Sequence, residues 1–413
     1  DAANQDLSGS VLLQAGSTLD VSGGGYVQPD RQVLMANGVP AGHGGDISLV
    51  TYGNASTQEQ QPDRLDGGRL GLDGKLLGYG FSGGGTLSLQ ANYIQVGGDR
   101  AAMPLANGLY LDPGFFAGQG FDRYKLTAIT DGIVAPGTQV RVARDNFLPD
   151  YQALLLAPTG ADLYAADAAH PTGVYATVGA LDPYHRYVTR TTGAGPGFSL
   201  SAGQYLDWSI DPQNPSKGAP QYAGVSGSVR VGEGANIAVD AGGSIALAGT
   251  QATIVLGALT AHGGSIDVST NALTRPSGLP PLTARVWLGD AAVLDASGTV
   301  LLDPWAAAVA GPDGTPQVPR TGVALDGGSV TLKGRGGYVV AAQGSRIDVS
   351  GVADRFDLPT RHPAGLGQAT AYLGTPVWSD AGNVMLAAAA GLYFDGQLQA
   401  DGGATQAGGG TLT

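Results

Sequence analysis

Gly16-Ser17-Thr18-Leu19-Asp20-Val21-Ser22-Gly23-Gly24 is a phrase that this chain repeats. It returns as Gly263-Gly264-Ser265-Ile266-Asp267-Val268-Ser269 and as Gly344-Ser345-Arg346-Ile347-Asp348-Val349-Ser350-Gly351. A second phrase answers it: Gly44-Gly45-Asp46-Ile47-Ser48-Leu49, Gly84-Gly85-Thr86-Leu87-Ser88-Leu89, Gly242-Gly243-Ser244-Ile245-Ala246-Leu247 and Gly327-Gly328-Ser329-Val330-Thr331-Leu332. Within each phrase apolar and polar residues alternate, as a strand with one buried face requires. Repetition on this scale is the signature of a stacked array, whose units cannot bury their inner face alone.

Gly243 and Gly264 hold equivalent places 21 residues apart, about the length of one circuit carrying two or three short strands. The Gly pairs mark corners, where the backbone turns or approaches a neighbour closely. The expected fold is all-β: a right-handed parallel β-helix (β-solenoid), with Val, Ile, Leu and Ala stacked inward, loop insertions, and one larger aromatic-rich β insertion. Counting every regular stretch as circuit predicts roughly 12–14 circuits and about 60–70 Å of rod.

Composition agrees. Gly supplies 69 of 413 residues and hydrophobic residues 43%, enough for a core. Helix formers are scarce: the glutamates are Glu59 and Glu233, and the lysines Lys75, Lys125, Lys217 and Lys333. The net charge of −13 repels phosphate backbones, so nucleic acid is not an expected partner. There is no cysteine, hence no disulfide framework and no thiolate metal site. No apolar run reaches transmembrane length. The chain starts at Asp1 and stops inside a repeat phrase, as expected of a piece of something longer.

Three regions follow. Residues 1–98 read as circuits with polar loops. Residues 99–222 read as an inserted aromatic-rich subdomain, or as irregular circuits with a hairpin unit on the flank. Residues 223–413 read as circuits with Pro-rich loops at 271–283, 304–321 and 352–377. Insertions of this kind leave from corners and gather on one face, often the binding face.

The phrases Leu19-Asp20-Val21-Ser22-Gly23-Gly24 and Gly328-Ser329-Val330-Thr331-Leu332 resemble those of the filamentous haemagglutinin family, the large exoproteins of two-partner secretion. Phe115-Phe116-Ala117-Gly118-Gln119-Gly120-Phe121-Asp122-Arg123-Tyr124-Lys125-Leu126, followed by Val134-Ala135-Pro136-Gly137-Thr138, resembles an element that recurs in very long members. The resemblance implies a right-handed parallel β-helix, export through an outer-membrane secretion partner, and a secreted or cell-surface adhesin. Such an adhesin binds a protein or glycan on host cells or other bacteria. The family's amino-terminal secretion domain carries Asn-Pro-Asn-Leu and Asn-Pro-Asn-Gly type motifs; Asn214-Pro215-Ser216 is the nearest approach here, so this chain reads as shaft. Members also serve as stalks of contact-dependent growth-inhibition toxins.

Motifs that mimic chemistry have a plainer reading. Gly78-Tyr79-Gly80-Phe81-Ser82-Gly83 has dinucleotide-fingerprint spacing, and Gly80-Phe81-Ser82-Gly83-Gly84 fits the nucleophile-elbow pattern. Both need a following helix, whereas a strand pattern follows. His43, His170, His185, His262 and His362 lack zinc spacing, and His262 beside a Gly corner reads as a solvated turn residue. Asp20, Asp267, Asp295 and Asp348 fall at one place in the phrase, which suits capping of a turn amide more than the paired carboxylates of a β-helix polysaccharide lyase or hydrolase. No catalytic residue, metal or cofactor is expected. The candidate contacts are the basic aromatic knot Tyr184-His185-Arg186-Tyr187 and the tryptophans Trp287, Trp305 and Trp378 near Pro-rich insertions, since aromatic faces stack on sugars or anchor partners.

Overall fold

The computed structural model describes residues 10–36, 39–51, 68–105, 107–143, 147–149, 155–156, 158–159, 175–177, 196–207, 221–271, 284–302, 308–310, 315–359 and 372–413. The chain is all-β, with long parallel sheets of nine, eight and six strands. It visits them in rotation. Ser244–Gly249 joins the nine-stranded sheet, Ala252–Val255 the eight-stranded and Ala258–Thr260 the six-stranded, before Ser265–Thr270 returns to the first. Ser244 pairs in register with Ser265, so the 21-residue repeat is one circuit.

Alternation places one residue of each pair inside, and parallel register stacks the inside residues into columns. Leu87, Tyr124, Phe198, Ile245, Ile266, Val330 and Val384 form one column of the nine-stranded sheet, all buried. Val140, Ile237, Leu259, Leu294 and Ile347 form the column of the six-stranded sheet. Each such side chain contributes about 1.5–3 kcal/mol when removed from water. The columns end on Leu412, Leu392 and Leu398, which are exposed.

The Gly pairs have a steric cause. The second Gly of several pairs, and Gly382 in the same register, lie against the backbone of the circuit below. A Cβ on Gly85 would sit 1.7 Å from the Gly45 carbonyl oxygen, on Gly264 2.1 Å from that of Gly243, on Gly328 2.0 Å from that of Gly264, and on Gly382 1.8 Å from that of Gly328. No side chain fits at that spacing, so the repeat phrase keeps a bare backbone there.

One expectation is corrected. Among the described residues the longest sheet has nine strands, about 38 Å at the usual strand spacing, fewer than the expected 12–14 circuits. The excess came from stretches that alternate like circuits but fold outward as hairpins: Thr299–Leu302 pairs antiparallel with Gly322–Leu325. In addition, the described part of 99–222 has no separate core. Arg123–Ala128, Gly132–Val134, Gln139–Val142 and Gly197–Ala202 are strands of the three main sheets. Its aromatics plug their interior: Phe116 meets Tyr124 at 5.0 Å and Phe198 at 5.6 Å, edge to face.

Insertions are not distributed evenly. Corners from the eight- to the six-stranded sheet are tight, as between Val231 and Asn236 or Leu288 and Val293. Those from the six- back to the nine-stranded sheet carry long excursions after Val142, Asp295 and Asp348, but only short turns after Val239 and Thr260. Two short corners of this kind therefore lie between long ones, although the circuit holding Asn236–Val239 carries the hairpin Gln204–Asp207/Gln221–Gly224 at another corner.

Candidate recognition surface

The outer face of the eight-stranded sheet adjoins the tight corners. Register stacks Ile133, Arg230, Ile254, Trp287, Val340 and Tyr393 along its outward centre line. Outward positions elsewhere in the array are mostly polar, as at Ser88, Lys125, Ser199 and Thr331 of the nine-stranded sheet. Here, Arg230 apart, the side chains are apolar or aromatic, and Trp287 is 39% and Tyr393 63% exposed. Tyr338 lies beside this line, in register with Arg285 and with Gly391. Because Gly391 has no side chain, the Tyr338 ring leans over it and approaches Tyr393, with centroids 6.4 Å apart and planes 31° apart. Trp287 and Tyr393 stand two strands apart, about 9.6 Å along the array. The result is a flat strip of Trp, Tyr and Arg, the residue types that anchor recognition.

Of the residues singled out from sequence, Trp287 belongs to this strip. Trp378 lies elsewhere, exposed at the base of the hairpin Ala353–Pro359/Tyr372–Trp378, where it pairs with Ala353. Trp305 and Tyr184-His185-Arg186-Tyr187 lie outside the described residues, as do His170 and His362. Tyr338 and Tyr393 were missed. Their signal was available, since both occupy the outward place of an alternating strand, but only register shows that they meet.

The Gly-rich fingerprint is a corner. The strand Thr86–Ala91 follows it, Gly83 has φ +142°, and a Cβ on Gly78 would strike the Phe121 ring at 2.3 Å. Three of the four repeated aspartates cap turns: the carboxylates of Asp20, Asp295 and Asp348 accept from the backbone N–H groups of Ser22, Ser297 and Ser350 at 2.8, 3.0 and 2.9 Å. Asp267 departs from this set. It stands in the nine-stranded sheet, in register with Ala246 and Thr331, because its phrase occupies a different side of the circuit.

His262 is not the freely solvated turn residue expected from sequence. It is half-buried, with Nδ1 3.5 Å from Asp295 Oδ1 and 3.2 Å from Ser297 Oγ. The hydrogen bond to Asp295 raises its pKa, against the opposing effect of burial. Burial acts to raise the Asp295 carboxyl, but hydrogen bonds from His262 and Ser297 outweigh it and hold the group at about 2. The trio of Ser, His and Asp is not a catalytic relay. The same imidazole nitrogen faces both partners, and Ser297 Oγ donates to Asp295 at 2.7 Å, so no base takes its proton. Asp295 and Asp348 stack in register, yet each is neutralised, Asp348 by Arg346 at 2.6 Å. Asp295 therefore stays ionised and does not supply the raised-pKa acid that glycoside hydrolysis needs. Among the described residues no group of three or more His, Asp or Glu is placed to hold a metal ion.

No family model, curated protein or solved structure matches this chain.

Proposed function

We propose that the three sheets form a right-handed parallel β-helix, and that the chain is a non-enzymatic shaft segment of a secreted, cell-surface adhesin of the filamentous haemagglutinin type. The observation that carries this reading is the pairing of a continuous stacked interior with the outward Ile254–Trp287–Val340–Tyr393 line. The interior gives a stiff scaffold with no hinge between circuits. The line gives a lateral contact surface repeated at strand spacing, suited to many weak contacts made together. The partners in this reading are an outer-membrane secretion protein for export and a protein or glycan on host or bacterial cells for attachment.

The alternatives are a stalk of a contact-dependent growth-inhibition toxin and a polysaccharide lyase or hydrolase. The stalk shares the rod but not the contact surface. The enzyme requires a free acid–base pair. Two measurements test the proposal: small-angle scattering for a rod-shaped particle, and binding of the labelled chain to epithelial and bacterial cells. A rod that binds, with binding lost in the Trp287→Ala/Tyr393→Ala variant, supports the adhesin. A rod whose binding is absent or indifferent to that variant refutes the contact surface.

A further inference from the structure

A groove of about 710 Å³ opens on the outside of the six-stranded sheet, beside the short corners after Val239 and Thr260. Its floor is made by the outward residues of Gln139–Val142, Asn236–Val239 and Ala258–Thr260. One wall is the strand Thr299–Leu302, which leaves the next circuit after Ser297. That volume falls within the range of ligand pockets, roughly 300–1,000 Å³.

Three features define what would fit. Arg141 is exposed on the floor, and it makes no ion pair or side-chain hydrogen bond among the described residues, in a chain of net charge −13. Asp240 also borders the groove, but it is only 4% exposed and has interactions of its own, so its charge is not presented to a ligand. Asn236 and Thr260 face outward on successive strands, with Thr260 Oγ1 only 3.5 Å from Asn236 Oδ1, a long contact that leaves both with bonding capacity. Val300 and Leu302 supply an apolar side, and Leu302 is 36% exposed. Asn236–Val239 and Ala258–Thr260 are paired on both sides, while Gln139–Val142 ends the six-stranded sheet and pairs only with Asn236–Val239 among the described residues.

We infer that this groove binds an acidic oligosaccharide lying along the array, with a uronic-acid carboxylate on Arg141. The guanidinium presents its fork to the carboxylate, Asn236 and Thr260 meet ring hydroxyls, and Val300 and Leu302 cover the apolar face of a sugar ring. Strand spacing of about 4.8 Å offers one row of side chains per sugar unit. This site lies on a different sheet from the Trp287–Tyr393 strip and does not depend on the adhesin reading.

The test is calorimetric titration of the intact chain with tetragalacturonate, maltotetraose and tetraglutamate. Binding of tetragalacturonate with no binding of the other two is expected. Arg141→Gln should weaken it about tenfold or more, the effect of losing one charge-assisted hydrogen-bond pair. Arg141→Lys should fall between, and Leu302→Asp should also weaken it, with unchanged circular dichroism in each variant. Absence of tetragalacturonate binding overturns the inference. So does equal binding of maltotetraose, which would mean a neutral-sugar site, or stronger binding of tetraglutamate, which would mean an acidic-peptide site. Unchanged affinity in Arg141→Gln moves the ligand to another surface and also overturns it.

Discussion

His262 and Asp295 join two successive circuits through side chains, with Nδ1 and Oδ1 3.5 Å apart at the base of the Thr299–Leu302 hairpin. The raised pKa of His262 means that its stabilising effect is complete below the unfolded value, about 6.5, and is lost as pH rises through the folded value. Asp295 is held at about 2, so its contribution is complete above about 3.9 and is lost as pH falls toward 2. The charged pair is therefore intact between about pH 4 and 6.5. Thermal unfolding followed across pH should show stability declining above that window, by no more than about 1 kcal/mol because the pair is partly solvated. His262→Ala should flatten the decline. A wild-type profile unchanged from pH 6 to 8 would refute the pairing.

The glycine column offers a sharper contrast. Gly264→Ala places a Cβ 2.1 Å from the Gly243 carbonyl oxygen, backbone against backbone, where neither can yield without separating circuits. Urea denaturation should report a loss of at least about 1–3 kcal/mol. Gly137 has φ +70° and open space around it, so Gly137→Ala carries the conformational cost alone, about 1–2 kcal/mol. An equal or smaller loss at Gly264 would contradict close stacking.

Phe116 and Leu247 test the interior. Both are buried, Phe116 in the edge-to-face cluster with Tyr124 and Phe198, Leu247 in an inner column of the nine-stranded sheet. Phe116→Ala is expected to cost about 3–5 kcal/mol and Leu247→Ala about 2–5 kcal/mol. If 99–222 were a unit apart, Phe116→Ala would unfold it alone and produce a separate transition. A single shifted transition is the expected result.

Asp131 is partly buried at a corner, where it accepts the Ser228 N–H at 2.7 Å. Burial raises its pKa in spite of that bond, and the neighbouring Tyr93 hydroxyl is pushed up to about 12 by burial and by the Asp131 charge. A raised carboxyl binds its proton more tightly in the folded state. Its charged form therefore weakens the fold as pH rises from about 3.9 through the folded value. Asp131→Asn keeps an acceptor for Ser228 without the charge, and should equal or exceed the wild type at pH 7 in chemical denaturation. A marked loss would mean that the charge itself is needed there.

On the Trp287–Tyr393 strip, Tyr393→Ala should leave the unfolding midpoint nearly unchanged, since that ring is 63% exposed, whereas Trp287, 39% exposed, should lower it modestly when replaced by alanine. Attachment to cells should fall, with a hot-spot effect of about 2 kcal/mol or more per anchor. Loss of stability without loss of attachment would make the strip structural.

Strand alternation, the Gly pairs and the 21-residue circuit were legible because they are local. A period of two sets which side chain faces inward, and a bare backbone is needed wherever circuits touch, so each phrase carries its own instruction. The same locality explains the errors. Gly322–Leu325 alternates as a circuit strand does, yet it pairs with Thr299–Leu302 as a hairpin, and nothing within four residues separates the two outcomes. Phe116, Phe121 and Tyr124 look like the core of a separate unit until register with Phe198 places them inside the array.

The repeat phrases alone pointed to an all-β stack, its inward columns and turn capping by the recurrent aspartates, which holds for Asp20, Asp295 and Asp348 but not for Asp267. Everything that depends on neighbours distant in the chain was decided by the tertiary structure. That includes which corner each insertion leaves, the meeting of Trp287 with Val340 and Tyr393, the His262–Asp295 bridge and the groove over Arg141. The physical reason is that parallel register, not sequence proximity, determines which side chains lie one strand spacing apart.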